Sequence, residues 1–334
     1  MTGDGVLVSV DGLSRHFGVV RAVDDVSFEI RRGETFGLVG ESGSGKSTLA
    51  RLLLRLDRPT AGRILFDGVD AAGLSARELR RLRRRMQIVF QDPLASLNRR
   101  RTVGQTIELP LKVHQPELGA AERAARVREL LELVGLRPTH APAYPRELSG
   151  GQCQRVSIAR ALSIRPEFVV LDEAVSAVDV SIQAQILNLL RELQERLALT
   201  YLFVSHDLSV VRYMSTTIGV MYHGRIVELG PREQLFSDPK HPCTHALLAS
   251  IPEPDPVVER GRSRAHVIVR EEVAPGGEVT GCRFHPRCPL GTRELCVAVE
   301  PGLDEVAPEH RVACHFPQSA ESLAHEAAGA VAVS

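Results

Sequence analysis

The sequence predicts an α/β domain built on a mainly parallel sheet, and three observations carry that reading. Phe168–Leu171 is a continuous apolar run, as expected for a strand covered on both faces. Behind it, Ile182, Ile186, Leu189, Leu190, Leu193 and Leu197 fall on one stripe at helical spacing. Thr35–Val39 is a second apolar run that opens into a glycine-rich loop and then a helical stretch. Strands that alternate with helices imply a parallel sheet with helices on its faces.

The elements follow in order. Leu7–Val10 and Val26–Ile30 read as short strands, and Arg32-Gly33 turns the chain into the strand at Thr35–Val39. Lys46–Leu56 is helical, with Leu49, Leu52, Leu53 and Leu56 at helical spacing. Arg63–Phe66 and the turn Asp67-Gly68 lead to an arginine-dense helix from Ser75 to Arg85. Ile88-Val89-Phe90 reads as a short buried strand ending at Gln91. Ala120–Val134 carries Leu130, Leu131 and Val134 on one side and charges on the other, the pattern of a surface helix. Thr200–Val204 is a further strand. Periodicity breaks at Ile251–Pro256 and Ala274–Gly277, and four cysteines lie beyond these breaks. The expected organisation is a nucleotide-binding domain over 1–236 with a helical subdomain near 92–160, a C-terminal extension over 237–317, and a flexible tail over 318–334.

Composition narrows the class. The 334 residues hold 43% hydrophobic and 25% charged side chains, ordinary globular usage. Lys+Arg and Asp+Glu are both 41, so the basic surplus of a phosphate-neutralising nucleic-acid binder is missing. Trp is absent and aromatics total 4%, which argues against a base-stacking platform. The arginine run Arg77, Arg80, Arg81, Arg83, Arg84, Arg85 reads as a solvated face, and no nucleic-acid partner is expected. No run of 18 uncharged apolar residues occurs, and Met1–Val10 lacks a basic leader segment, so neither a membrane span nor secretion is expected. In a cytosolic setting clustered cysteines suggest metal rather than disulfides.

The first chemical motif is Gly40-Glu41-Ser42-Gly43-Ser44-Gly45-Lys46-Ser47, a phosphate loop in its required place between an apolar strand and a helix. Its glycines let backbone N–H groups converge on phosphate oxygens, and the helix beginning at Lys46-Ser47-Thr48 adds its positive dipole end. Lys46 is placed to reach the β- and γ-phosphates and Ser47 to hold Mg²⁺. The strand at Phe168 delivers two adjacent carboxylates: Asp172 suits the Mg²⁺ shell, and Glu173 is positioned to polarise the attacking water.

Leu148-Ser149-Gly150-Gly151-Gln152 resembles the signature motif of ATP-binding cassette (ABC) proteins. Gln91 resembles that family's Q-loop glutamine, Ser176–Asp179 its D-loop, and His206 in Val204-Ser205-His206-Asp207 its switch histidine. Five separated motifs stand in the family's order over about residues 6–250. The resemblance implies a phosphate-loop ABC nucleotide-binding domain, with a parallel sheet core, an antiparallel β subdomain and a helical signature subdomain. It implies ATP and Mg²⁺ as ligands, with Ser47, Gln91 and Asp172 at the metal, and Glu173, Gln91 and His206 as catalytic residues. ATP would lie between the phosphate loop of one subunit and Ser149, Gly150, Gly151 and Gln152 of a second, a paralogue or a second copy. Phe17 resembles the aromatic that stacks on adenine.

Gln91–Asn98, Asp179–Gln185 and His241–Leu248 resemble the ATPase subunits of oligopeptide/dipeptide ABC importers. Ala174, Val178 and Cys243 stand where that subfamily has proline, leucine and tyrosine. This likeness implies an ATPase on the cytoplasmic face of the cell membrane, peripheral to it. Its partners would be two transmembrane permeases, docked on the helical block around Gln91–Val134, and indirectly an extracytoplasmic solute-binding protein. An ABC ATPase acting on nucleic acid or ribosomes fits less well: only 56 residues separate Gln91 from Leu148, too few for long coiled coils, and the chain has one phosphate loop.

Cys282, Cys288, Cys296 and Cys314 are separated by five, seven and seventeen residues. Zinc sites usually use short Cys-x-x-Cys knuckles, and a [4Fe–4S] cluster takes four thiolates from irregular spacings. The subfamily's extension, which this segment resembles, carries such a cluster in some members, and zinc, disulfides and free thiols stay open as alternatives. The expected role is structural, holding together an extension without a core of its own, with Arg283 and Arg287 offsetting the cluster's charge and Cys153 and Cys243 uninvolved.

Overall fold

The computed structural model describes residues 5–176, 178–251, 280–289 and 293–317. The breaks at 252–256 and 274–277, the tail at 318–334 and Ala177 in the D-loop lie outside these residues.

Two sheets organise the domain. The first is antiparallel, with β1 (Val6–Phe17), β2 (Val20–Arg31), β4 (Ala61–Phe66) and β5 (Val69–Asp70) in the order β2-β1-β4-β5. The second begins with β3 (Thr35–Val39), followed by α1 (Lys46–Leu53), α2 (Ala76–Arg85) and β6 (Met86–Val89). A helical block follows: α3 (Pro93–Ser96), α4 (Val103–His114), α5 (Ala120–Leu133) and α6 (Gly150–Leu162). The chain then returns to the sheet through β7 (Phe168–Asp172), α7 (Val180–Leu197), β8 (Thr200–Val204), α8 (Leu208–Met214), β9 (Thr217–Tyr222) and β10 (Arg225–Pro231). Two further helices, α9 (Arg232–Ser237) and α10 (Pro242–Ala249), precede α11 (Glu294–Ala298), β11 (Asp304–Ala307) and β12 (His310–Val312).

The second sheet runs β11-β12-β10-β9-β3-β8-β7-β6. β9, β3, β8, β7 and β6 are mutually parallel, while β10, β12 and β11 add on antiparallel. Its central parallel strands are largely apolar on both faces because both are covered. Phe36, Leu38, Phe168, Val170, Leu202 and Val204 face a core shared with α1 and the antiparallel sheet, whereas Val39, Val169, Leu171, Tyr201 and Phe203 face the helical side. The alternation is the period of two that a pleated strand imposes.

Several sequence expectations are corrected here. Leu56 lies beyond the end of α1 and Leu197 at the last residue of α7, and both are exposed rather than part of the stripe. Phe90 follows the end of β6 and is exposed, not buried. The cysteine-bearing segment is not coreless: Phe284 and Cys288 belong to the helical-side core, and β12 pairs with β10. Fully buried Glu228 fastens this join, accepting from Lys240 N at 2.8 Å and His241 N at 3.0 Å and lying 2.8 Å from His310 Nε2.

Candidate functional site

The site forms at the C-terminal ends of β3, β8, β7 and β6, where an open α/β sheet receives its ligands. Two loop glycines are compelled by their surroundings. A Cβ on Gly40 would stand 2.1 Å from the Met221 carbonyl oxygen, and one on Gly45 would stand 2.1 Å from that of Ala22. Both also have positive φ. Gly43 also has positive φ, Ser42 and Ser47 are exposed, and Thr48 is half-buried in the first turn of α1.

Lys46 is buried at the mouth of the loop, with Nζ donating to the carbonyls of Gly40 and Glu41, each at 2.8 Å. Burial pushes its ammonium below the usual lysine range, with Glu173 and Asp172 pulling it back up. Ser47 Oγ donates to Asp172 Oδ1 at 3.1 Å. Burial raises the Asp172 carboxyl, the Ser47 hydrogen bond opposes this, and the neighbouring charge of Glu173 raises it further. A hard dication there would relieve both penalties, and the two oxygen donors suit Mg²⁺.

Three residues far apart in sequence meet one step away. Gln91 Nε2 donates to Glu173 Oε2 at 2.7 Å, and His206 Nδ1 lies 3.3 Å from Glu173 Oε1. Glu173 leaves β7 with φ 49°, a left-handed turn, while its amide donates to Val204 O at 2.9 Å. That turn aims the carboxylate along the sheet edge at both partners. A carboxylate so held between an amide and an imidazole, beside a metal-suited Ser–Asp pair, has the arrangement needed to activate water at a bound γ-phosphate.

The structure places the remaining predicted residues on β1, on α6 and in the loop after β7. Phe17 ends β1 with 48% of its surface exposed, and the Arg15 guanidinium sits 4.4 Å from its ring centroid. Ser149 caps α6 in a box with Gln152: Gln152 N donates to Ser149 Oγ at 3.3 Å, and Ser149 N to Gln152 Oε1 at 2.9 Å. Gly151 meets Ile182 of α7, which a Cβ would approach to 2.5 Å. Ser176 Oγ donates to Glu173 O at 2.9 Å.

Cys282, Cys288, Cys296 and Cys314 line one cavity, with His241, His285 and His315 at its wall. Cys282 N donates to Cys296 O at 2.8 Å, so α11 is stitched to the start of the segment. The cavity is about 10 Å³, near the minimum for one water. Burial raises the thiols of Cys282 and Cys296, and pushes that of Cys314 up to about 12. Among the described residues no three His, Cys, Asp or Glu side chains close as a single metal ion requires. Tetrahedral zinc sets sulfurs about 3.8 Å apart at a Zn–S length of about 2.3 Å, so this arrangement does not support the zinc alternative. Cys153 Sγ donates to Pro145 O at 3.4 Å and Cys243 is buried in α10; neither lines the cavity. The expectation that Arg283 and Arg287 offset a cluster's charge is corrected, because their guanidinium groups are bound to carboxylates elsewhere. Arg283 pairs with Asp24 and Glu300, and Arg287 with Glu41. Sequence reasoning missed the Arg287–Glu41 contact, whose partners lie 246 residues apart.

Comparison with known proteins agrees with this geometry. Residues 23–176 match the ABC transporter family, and residues 227–296 match the oligopeptide/dipeptide transporter C-terminal region. The oligopeptide transport ATP-binding protein AppF of Bacillus subtilis is 50% identical over 307 residues, covering 90% of this chain and 91% of AppF. A Brucella ovis protein named for peptide import and ATP binding is 50% identical over 313 residues, covering 92% of this chain and 97% of that one. Among solved structures, the ATP-binding cassette MJ0796, a dimer in a post-hydrolysis state bound to ADP and Pi, superposes with a TM-score of 0.62. It is 31% identical, and the match covers 68% of this chain and 99% of that one. The phosphate loop, the paired carboxylates and the capped signature helix thus stand in the frame that these relatives share, and the chain belongs to the ABC transporter family as one of its ATPases.

Proposed function

We propose that the chain hydrolyses ATP to drive import of di- or oligopeptides, or a related small solute, across the cell membrane. One observation carries the hydrolytic part: Gln91, Glu173 and His206 converge within hydrogen-bond reach beside the Ser47–Asp172 pair. Lys46 and the amides of Gly40–Thr48 bind the phosphates, and Phe17 offers adenine the ring face that Arg15 does not cover. Ser47, Asp172 and Gln91 would hold Mg²⁺, which would supply positive charge to offset that of the phosphates. Glu173 takes the proton of the attacking water, Gln91 orients it, and His206 steadies the carboxylate.

Ser149–Gln152 serve the γ-phosphate of a second ATPase subunit, a paralogue or another copy. Their capping bonds stay within one turn, which leaves the N-terminus of α6 to face an anion across an interface. Two permeases dock on the helical block, where exposed Phe90 and Leu94 give an apolar contact beside Gln91. Among the described residues no helix is long and apolar enough to cross a membrane, so membrane attachment at the cytoplasmic face is assigned to those permeases. A solute-binding protein acts on the other side. The peptide assignment draws on the relatives named for oligopeptide transport and peptide import and on the matched C-terminal region.

The four cysteines are proposed to hold a [4Fe–4S] cluster on the strength of their all-thiol donor set around one pocket, which would have to widen from its one-water size to admit it. When bound it supplies a covalent tie across residues 282–314. The test of the whole reading is reconstitution in proteoliposomes with candidate permease and solute-binding partners. Peptide should stimulate ATP hydrolysis and enter the vesicles only with ATP. Hydrolysis that ignores every peptide and solute offered would refute the transport assignment.

A further inference from the structure

The phosphate loop is gripped from the far end of the chain. Arg287 Nη1 donates to Glu41 Oε2 at 2.6 Å, and its guanidinium lies 5.9 Å from the Tyr222 ring centroid and 5.8 Å from that of Phe284. The Phe284 ring in turn meets Tyr222 edge-on at 5.1 Å, so the guanidinium sits beside an aromatic pair at the end of β9. Four residues earlier, Arg283 binds Asp24, the His223 carbonyl at 2.5 Å and Glu300 at 3.0 Å. Those contacts fix the turn after β9, and that turn holds the loop directly: Gly224 N donates to Ser44 O at 2.8 Å, and Asp24 N donates to Gly224 O at 2.9 Å.

Arg287 and Arg283 therefore both end on the phosphate cradle, the first on a side chain within it and the second on the turn that holds it. Glu41 is the critical member. It lies between Gly40 and Ser42, its carbonyl accepts from Lys46 Nζ, and its carboxylate would repel a polyphosphate if left unpaired.

We propose that Arg287 is a positioning residue for ATP binding. It neutralises Glu41 and pins it outward, so that the loop amides face the phosphates, and nucleotide affinity depends on the segment between Cys282 and Cys288. The inference rests on ATP binding at the phosphate loop and is independent of what the cysteines hold. Nothing in it touches the hydrolytic trio of Gln91, Glu173 and His206.

The test uses the full chain with three variants: Arg287→Gln, Arg287→Met, which keeps an apolar stem without the charge, and Arg287→Gln combined with Glu41→Gln. ATP affinity is measured by calorimetry and KM and kcat by phosphate release. Both single variants should raise Kd and KM about tenfold with kcat within about twofold, the size of coupling found for contacting charged residues. Adding Glu41→Gln should recover at least about threefold of the lost affinity, because the unpaired carboxylate is then gone. A merely structural arginine would show no such recovery. Unchanged affinity in Arg287→Met, a fall in kcat at constant KM, or failure of Glu41→Gln to restore binding would overturn the proposal. Loss of all nucleotide binding in wild-type protein would instead strike at the phosphate site itself.

Discussion

Replacing Glu173 by glutamine separates chemistry from binding in this ATPase. The carboxylate is engaged on both oxygens, by Gln91 Nε2 at 2.7 Å and His206 Nδ1 at 3.3 Å. A glutamine of the same length can turn its oxygen to Gln91 and its amide to the imidazole, so the side chain stays in place and only its basicity is lost. Removal of a general base costs about 10²–10⁴-fold, or about 2.7–5.4 kcal/mol of barrier at about 1.36 kcal/mol per decade. Binding should not suffer. Glu173 contributes to the raised carboxyl of Asp172, so its neutralisation favours ionised Asp172 and leaves Mg²⁺-ATP bound equally or more tightly. Phosphate release measures the first effect and calorimetry the second. Size-exclusion chromatography with ATP should in addition show a trapped dimer. Turnover within tenfold of wild type, or a marked loss of ATP affinity, would refute the assigned role.

Three further outcomes are expected. Lys46→Ala should weaken nucleotide binding about tenfold to a hundredfold, since hydrogen bonds to a charged group contribute about 1.5–3 kcal/mol, and calorimetry would read it directly. Glu228→Ala should cost about 3–5 kcal/mol in urea unfolding, because it strands the amides of Lys240 and His241 and the His310 ring inside the protein. Burial raises the Glu228 carboxyl, but donation from His310 and those amides outweighs it and the net shift is downward from 4.5. Its contribution is therefore present above about pH 4.5 and lost as pH falls further, so the gap between wild type and Glu228→Ala should narrow in acid. Anaerobic purification should yield a brown protein with about four irons per chain, bleached by Cys288→Ser; a protein free of iron would end the cluster assignment.

Much of the nucleotide site is legible in sequence because its parts are local. Thr35–Val39 and Thr200–Val204 are strands as read, since burial on both faces leaves no polar position to blur their limits. Other parts were hidden for physical reasons. α4 carries Pro110 inside it, which breaks the usual helical reading, although Thr102 and Gln105 form a capping box at its start. β11 is nearly all exposed and so has no apolar signature; only its pairing with β12 makes it a strand. The meeting of Gln91, Glu173 and His206 was implied by family resemblance, and no local pattern specifies it. The Arg287–Glu41 pair has no sequence signal at all, because it is decided by where residues 280–289 pack once the sheet exists.

The strand order β8-β7-β6 also works as a ruler. His206, Glu173 and Gln91 each leave the end of one of these consecutive strands, and neighbouring strands lie about 4.8 Å apart wherever a sheet forms. Distances among the reacting groups are thus set by backbone pairing rather than by the chain that loops out between them. The excursion from Gln91 to the signature helix can change length, charge or shape to suit a different membrane partner without retuning the hydrolytic centre.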